Sequence, residues 1–166
     1  MTQALPLTAP AALSTRAPGW RRWYLAVLTA LTGYSMGVGW QAQLVSYPFF
    51  GTVPAEHFAA YHEQYNQAIP PVVIAPGFLS FLAGVAFLWT RPQDVPRPAA
   101  AIVAGTGLVS LLATVLWAIP MHDRLDQLGQ SAATLDSLLQ ANLVRSLALT
   151  AGTAALVWCV AKAGRR

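Results

Sequence analysis

The chain has 166 residues, of which 55% are hydrophobic and only 10% are Asp, Glu, Lys or Arg. An average soluble domain carries roughly 25% of these charged residues, so the composition excludes an ordinary soluble domain and indicates that lipid covers most of the surface. The single cysteine, Cys159, excludes a disulfide framework, a Cys-rich zinc site and an iron–sulfur cluster. The net charge of +4 does not indicate a nucleic-acid partner, because the basic residues flank apolar segments, as they do beside anionic lipid headgroups.

Four apolar segments follow a proline-containing N-terminal region. We expect residues 1–19 to form a flexible tail rather than a cleavable signal peptide, because no basic residue precedes an apolar run there. Residues 20–166 form a single membrane domain, with spans predicted at about 24–44, 69–90, 99–119 and 138–161. About 20 residues of α-helix cross the roughly 30 Å hydrocarbon layer, so the predicted fold class is all-α, a four-helix transmembrane bundle.

Prolines and polar stretches set the expected ends of these spans. Pro48 is expected to end the first span and Pro120 the third, because proline removes a helical hydrogen bond and crowds the preceding turn. Residues 55–67 predict a separate amphipathic helix at the bilayer interface, and residues 121–136 a polar connection that is partly helical. A GxxxG pattern from Gly33 to Gly37 predicts close approach of another helix.

The basic residues predict the orientation in the membrane. Eight of the ten lie beside the tail, in the turn at residues 91–98 or at the C-terminal end: Arg16, Arg21, Arg22, Arg91, Arg97, Lys162, Arg165 and Arg166. Loops rich in Lys and Arg face the cytoplasm, so both termini are expected there, in a multi-pass protein of the bacterial inner membrane.

Most polar side chains that can act as acids, bases or ligands are expected on the outward side of the membrane, opposite the cytoplasmic side. Arg145 lies inside the fourth span, where an arginine costs several kcal/mol unless it is paired or reaches the interface, and Asn142 lies one turn before it on the same face. Arg145 either stabilises the bundle, through lipid headgroups or an acid such as Asp123, Glu56 or Glu63, or holds an anionic or carbonyl-bearing ligand. The predicted ligand-binding residues are Gln41, Gln43, Tyr47, Tyr61, Trp117 and Asp123.

The three histidines have poor spacing for a metal. His57 and His62 are five residues apart and do not share a helix face. A mononuclear site built from His62, His122 and an acidic neighbour is conceivable, but interfacial histidines that only form hydrogen bonds are commoner. We therefore expect neither a bound metal nor a cofactor.

Two segments resemble a known family. The run from Trp117 through Ile-Pro-Met-His-Asp-Arg to Leu125, together with the segment from Leu138 to Arg145, is similar to the small four-span membrane proteins grouped with anthrone oxygenases. The step Tyr47-Pro48 after the first span is similar too, whereas Met121-His122 stands where that family has Thr-Asn.

The resemblance implies oxidation of a polycyclic anthrone without metal or flavin. A base would remove an acidic C–H proton, and O₂ would react at the resulting carbanion. His122 or His62 would supply the base, and Arg145 with Asn142 would stabilise the enolate oxygen.

Three functions are consistent with the sequence. The first is an outward-facing pocket for a small hydrophobic, quinone- or anthrone-like molecule. The second is a non-enzymatic accessory or structural subunit, which would associate with another membrane protein or with a second copy of the chain. The third, a small transporter, is less well supported, since no inverted repeat is visible. A cavity among the polar residues would favour the first function and solid packing the second.

Overall fold

The computed structural model describes residues 19–164, and every regular element among them is helical. The tail predicted at 1–19 lies outside the described residues except for Gly19, as do Arg165 and Arg166. We label the four long helices α1 (residues 19–50), α2 (Ala55–Thr90), α3 (Arg97–Leu128) and α4 (Ala132–Ala163). Of these, α2, α3 and α4 are long and apolar enough to cross a membrane. The predicted all-α class with membrane-spanning helices is confirmed to that extent.

The four helices pack in a ring. Each of α1 and α3 contacts both α2 and α4. Turns at residues 51–54, 91–96 and 129–131 join successive antiparallel helices, the last of them through Gly129 with a φ of 77°. We call the end with the 91–96 turn the basic end and the end with the other two turns the polar end.

The basic end is a regular, apolar half of the bundle. Regular α-helix runs through Gly19–Gln41, Ala75–Thr90 and Arg97–Ala113 in this half. Its buried core is made of aliphatic and aromatic side chains with small residues between them: Leu25, Leu28, Phe87, Val95, Ala99, Ala100, Val103, Leu156, Cys159 and Ala163. The buried hydroxyls of Thr32 and Ser80 lie 2.9 Å apart and satisfy each other between α1 and α2. This half therefore provides continuous packing.

The polar end contains three wide helical stretches. Ala42–Ser46, Pro70–Ile74 and Thr114–Ala118 are π-helical, with a backbone N–H bonded to the carbonyl five residues earlier. Each stretch is followed two residues later by a proline, at positions 48, 76 and 120. A proline ring clashes with the carbonyl four residues before it, and in all three cases that carbonyl belongs to the middle residue of the wide stretch. The wider turn gives the ring room and keeps the helix continuous.

This widening corrects several sequence-based expectations. Pro48 and Pro120 do not end their helices, because the wider turn accommodates their rings, so α1 continues to residue 50 and α3 to Leu128. The amphipathic segment 55–67 is the first part of α2 rather than a separate helix. Much of the predicted connection at 121–136 is likewise helical, broken only around Gly129.

A single glycine marks the closest approach of α1 to α4. A Cβ atom at Gly39 would lie 2.8 Å from the Ser146 hydroxyl oxygen, a distance that real Cβ atoms do not reach. The predicted contact at Gly33 and Gly37 is wrong, since a Cβ at Gly37 would meet nothing within 4 Å and one at Gly33 would meet a methyl group only at 4.0 Å. The close approach lies half a turn further along the helix, beside the polar residues of α4.

Candidate functional site: a polar cavity at the π-helical stretches

A cavity of about 520 Å³ lies between the helices at the polar end, and all three π-helical stretches line it. A second, more apolar cavity of about 280 Å³ adjoins it toward the basic end, and Arg145 lines both. Pockets for drug-sized molecules have volumes of about 300–1,000 Å³. π-Helical turns are frequent at functional sites, and here residues of all three stretches line the cavity.

Arg145 is the most unusual residue of the cavity wall. It is 6% exposed, its Nη2 donates to Asn142 Oδ1 at 2.6 Å, and its buried Nε has no hydrogen-bond partner. Between residues 19 and 164 the structure gives one ion pair, His62 with Asp126, so Arg145 has no carboxylate partner there. Pairing of Arg145 with Asp123, Glu56 or Glu63 is therefore wrong, and the guanidinium faces the cavity instead.

Asn142 fixes the position of that guanidinium. Its amide nitrogen donates to the backbone carbonyl of Gly39 at 3.0 Å and to the side-chain carbonyl of Gln43 at 2.8 Å. With both amide hydrogens engaged, the Asn142 oxygen is left to accept from Arg145. The close approach at Gly39 makes the first of these bonds reachable, so α1 orients the arginine of α4.

A chain of four hydrogen-bonded side chains lies across the cavity wall. The Tyr47 hydroxyl is 3.2 Å from His122 Nε2, His122 Nδ1 is 3.0 Å from His62 Nε2, and His62 Nδ1 is 2.6 Å from Asp126 Oδ1. Asn66 donates to the other oxygen of Asp126 at 2.8 Å. His62 is fully buried, so both of its ring nitrogens are satisfied within the protein.

Aromatic rings enclose this chain. The Phe50 ring meets His62 edge to face at 5.4 Å between centroids, and the Phe58 ring stacks on His62 at the same separation. Tyr65 meets Phe50 edge to face at 4.8 Å. These contacts come from α1 and α2, whereas His122 and Asp126 come from α3, so the chain joins three helices.

Eight of the ten predicted site residues belong to this arrangement. Gln41, Tyr47, His122, Asp123 and Arg145 line the cavity. His62, Asn142 and Gln43 lie behind the wall and hold the lining residues.

Tyr61 and Trp117 do not line the cavity. Tyr61 is 40% exposed and meets Phe50 edge to face at 5.9 Å between centroids. Trp117 is 36% exposed, and its indole N–H donates to the Ser137 hydroxyl on the exposed surface between α3 and α4.

Sequence reasoning did not place Asp126 or Asn66 in the site. Asp126 follows His122 by four residues and Asn66 follows His62 by four, the spacing at which side chains meet on one helix face. Applied to residues 121–136, that rule would have joined Asp126 to His122. It was not applied there because the segment was interpreted as a connection rather than as the end of α3.

The arrangement does not favour a metal. Within residues 19–164 no group of three His, Cys, Asp or Glu side chains is placed to hold one. Both nitrogens of His62 are already engaged, and His57 is exposed on α2. The absence of a bound metal stays a prediction.

No protein-family model, no curated protein and no solved structure matches this chain. The similarity to anthrone oxygenases thus rests on the short motifs alone, and the residues of the cavity carry the functional argument.

Proposed function

We propose that this chain is a multi-pass protein of the bacterial inner membrane that binds a small, largely apolar molecule through an oxygen atom of that molecule. The oxygen is a carbonyl or an anion, as in a quinone or an anthrone, and it accepts hydrogen bonds from Arg145. The rest of the molecule occupies the apolar part of the cavity. Both termini of the chain lie in the cytoplasm, and the cavity opens to the outer side.

One observation carries this proposal: Arg145, which is 6% exposed and has no carboxylate partner among residues 19–164, lines a cavity. An unpaired charged donor inside a membrane helix costs several kcal/mol, so such residues mark functional sites by default. A ligand oxygen would satisfy the donor and offset that cost.

The cavity supports binding over a purely structural role. An accessory subunit would be expected to pack its polar residues solidly against each other or against a partner. Here a cavity of about 520 Å³ lies among the polar residues, and apolar side chains such as Val72 and Ile119 line it together with Arg145. That mixture suits a ligand with one polar group on an apolar body.

Oxygenase-like chemistry is the activity we propose for such a ligand. Removal of a proton from the methylene of a bound anthrone gives an enolate whose oxygen lies beside Arg145. Reaction with O₂ then places one oxygen atom on that carbon as a carbonyl, and the other leaves as water with the two original methylene hydrogens. The carbon is oxidised and O₂ is reduced, so no further oxidant is needed.

Anthrone under nitrogen is the probe that tests binding. The wild-type protein in lipid nanodiscs should bind about one anthrone per chain, measured by native mass spectrometry. Arg145→Leu should lower the affinity at least tenfold, because the ligand oxygen loses its donors. The matched control is Arg124→Leu, which removes an exposed arginine and should leave binding unchanged. Equal binding by the Arg145→Leu protein would contradict the proposal.

Cysteine labelling tests the orientation. Exposed Gln93 lies in the turn of the basic end and exposed Gln127 at the polar end, and the native Cys159 is buried. In a Cys159→Ser background, an impermeant thiol reagent added to intact cells should label Gln127→Cys and leave Gln93→Cys unlabelled. The reverse result would invert the orientation.

A further inference from the structure

We propose that Tyr47, His122, His62 and Asp126 form a proton relay that removes a proton from a carbon acid bound in the cavity and delivers it to the aqueous surface. This inference rests on the proposed function, since Arg145 must hold the oxygen of the bound molecule. It adds the base that a binding site alone would lack.

The relay runs along the cavity wall from a buried residue, Tyr47, to an exposed one, Asp126, which also lines the cavity. Tyr47 is 3% exposed and lines the cavity, whereas the Asp126 side chain is 41% exposed. The three contacts between them measure 3.2, 3.0 and 2.6 Å, all within hydrogen-bond range. A proton can therefore pass from the buried end of this chain to its exposed end without crossing open water.

Only one arrangement of protons satisfies the whole chain when Asp126 is ionised and both histidines are neutral. A carboxylate only accepts, so His62 donates from Nδ1 and must accept at Nε2. His122 then donates from Nδ1 and accepts at Nε2, which leaves the Tyr47 hydroxyl as the donor. Every hydrogen bond then points from Tyr47 toward Asp126.

Proton transfer reverses the chain one bond at a time. The C–H bond of the bound ketone breaks and its proton passes to the Tyr47 oxygen as the Tyr47 proton moves to His122 Nε2. The Nδ1 proton of His122 moves to His62 Nε2, and the Nδ1 proton of His62 moves to Asp126. The electron pair stays on the ligand as an enolate beside Arg145, so one proton leaves the ligand and one appears on Asp126.

Asn66 and the aromatic rings keep the relay aligned. Asn66 binds the second oxygen of Asp126 at 2.8 Å, which leaves Oδ1 for His62. The rings of Phe50 and Phe58 hold the imidazole of His62 at 5.4 Å centroid separations. A histidine pair needed only for packing would not require an ionisable group at the solvent edge.

Deuterium exchange measures the relay without any oxidation. The protein in nanodiscs is incubated with anthrone in D₂O under nitrogen, and the deuterium content of the anthrone methylene is followed by mass spectrometry. The wild type should speed the exchange above the protein-free rate. Asp126→Asn should slow the protein-dependent exchange, measured per bound anthrone, by about tenfold to a hundredfold, because an amide accepts a hydrogen bond but not a proton.

Further variants separate the relay from a structural role. Tyr47→Phe keeps the ring packing and should slow exchange by a similar factor, while Asp126→Glu should restore most of the rate. The matched control is Asp136→Asn, an exposed aspartate of α4, which should exchange at the wild-type rate.

Each failure has a distinct meaning. Full exchange in Asp126→Asn and Tyr47→Phe at normal occupancy would overturn the relay and leave the binding proposal standing. If anthrone bound to the wild type exchanges no faster than free anthrone, the relay is likewise overturned and the binding proposal stands. Absence of anthrone binding to the wild type would instead contradict the proposed function, and the relay with it.

Discussion

The two ends of the bundle use the same four helices in different ways. At the basic end the helices are regular and their apolar side chains fill the space between them. At the polar end three π-helical stretches separate the helices around a cavity, and His62, His122, Asn142 and Arg145 are buried there. Since the basic end supplies regular packing, the polar end can keep a space and costly polar groups that a uniformly packed bundle would exclude.

The arginines show the same contrast. At the basic end Arg21 donates to the Arg91 carbonyl at 3.1 Å, and Arg91 donates to the Val95 carbonyl, so both satisfy the turn after α2. Their Nε atoms also lack protein partners, but these arginines are only half-buried and lie where headgroups and water reach them. Arg145 is almost fully buried and lines a cavity, so a molecule in that cavity can accept hydrogen bonds from it where headgroups do not reach.

The largest expected difference between the ends is in stability. Leu156 is fully buried in the basic-end core, whereas Leu149, two turns earlier on α4, lines the apolar cavity. Leu156→Ala should lower the free energy of unfolding by about 2–5 kcal/mol, the usual cost of a new gap in a packed core. Leu149→Ala should cost clearly less, because part of its surface already faces open space and loses fewer contacts.

Thermal denaturation of the two variants in the same detergent makes this comparison direct, since the substitution and the helix are the same. Equal losses would mean that the polar end is packed as tightly as the basic end. That result would remove the structural distinction on which the cavity depends.

A smaller effect is expected from the prolines. Pro120 follows the π-helical stretch of α3, whereas Pro98 lies in the first turn of the same helix, where proline is tolerated. Pro120→Ala should raise the free energy of unfolding by about 1 kcal/mol and weaken anthrone binding several-fold, because α3 can then tighten and move His122. Pro98→Ala should change neither quantity.

Thermal denaturation and anthrone titration on both variants check this prediction. A Pro120→Ala protein that gains stability and binds anthrone like the wild type would show that the widened helix does not shape the site.

The helices of the basic end could be predicted from the sequence, whereas the π-helical stretches of the polar end could not. Runs of apolar residues of membrane-spanning length predicted helices in the right order, because length and hydropathy decide whether a segment can cross lipid. Pro48 and Pro120 were misinterpreted as helix ends, because a helix can also accommodate proline by widening, and sequence does not distinguish the two outcomes. Each π-helical stretch is followed two residues later by a proline, and only the backbone structure reveals this relation.

Most residues of the candidate site could be predicted from the sequence, but the contacts between them could not. His122, Arg145 and Asn142 stood out because polar groups are rare in membrane segments. The partners of Arg145 were mistaken, because charge complementarity favours an acid, whereas the fold gives the arginine an amide and a cavity. Asp126 was missed because its role depends on α3 continuing past Pro120.

The central claim, that Arg145 donates to the oxygen of a bound apolar ligand, is tested most directly by infrared difference spectroscopy of anthrone labelled with ¹³C at its carbonyl. Bound to the wild type under nitrogen, the carbonyl band should lie at lower frequency than in an apolar solvent, because hydrogen bonds from a cation weaken the C=O bond. At ligand concentrations high enough to occupy Arg145→Leu, the band should return to its apolar-solvent position. A wild-type band already at that position would contradict the account.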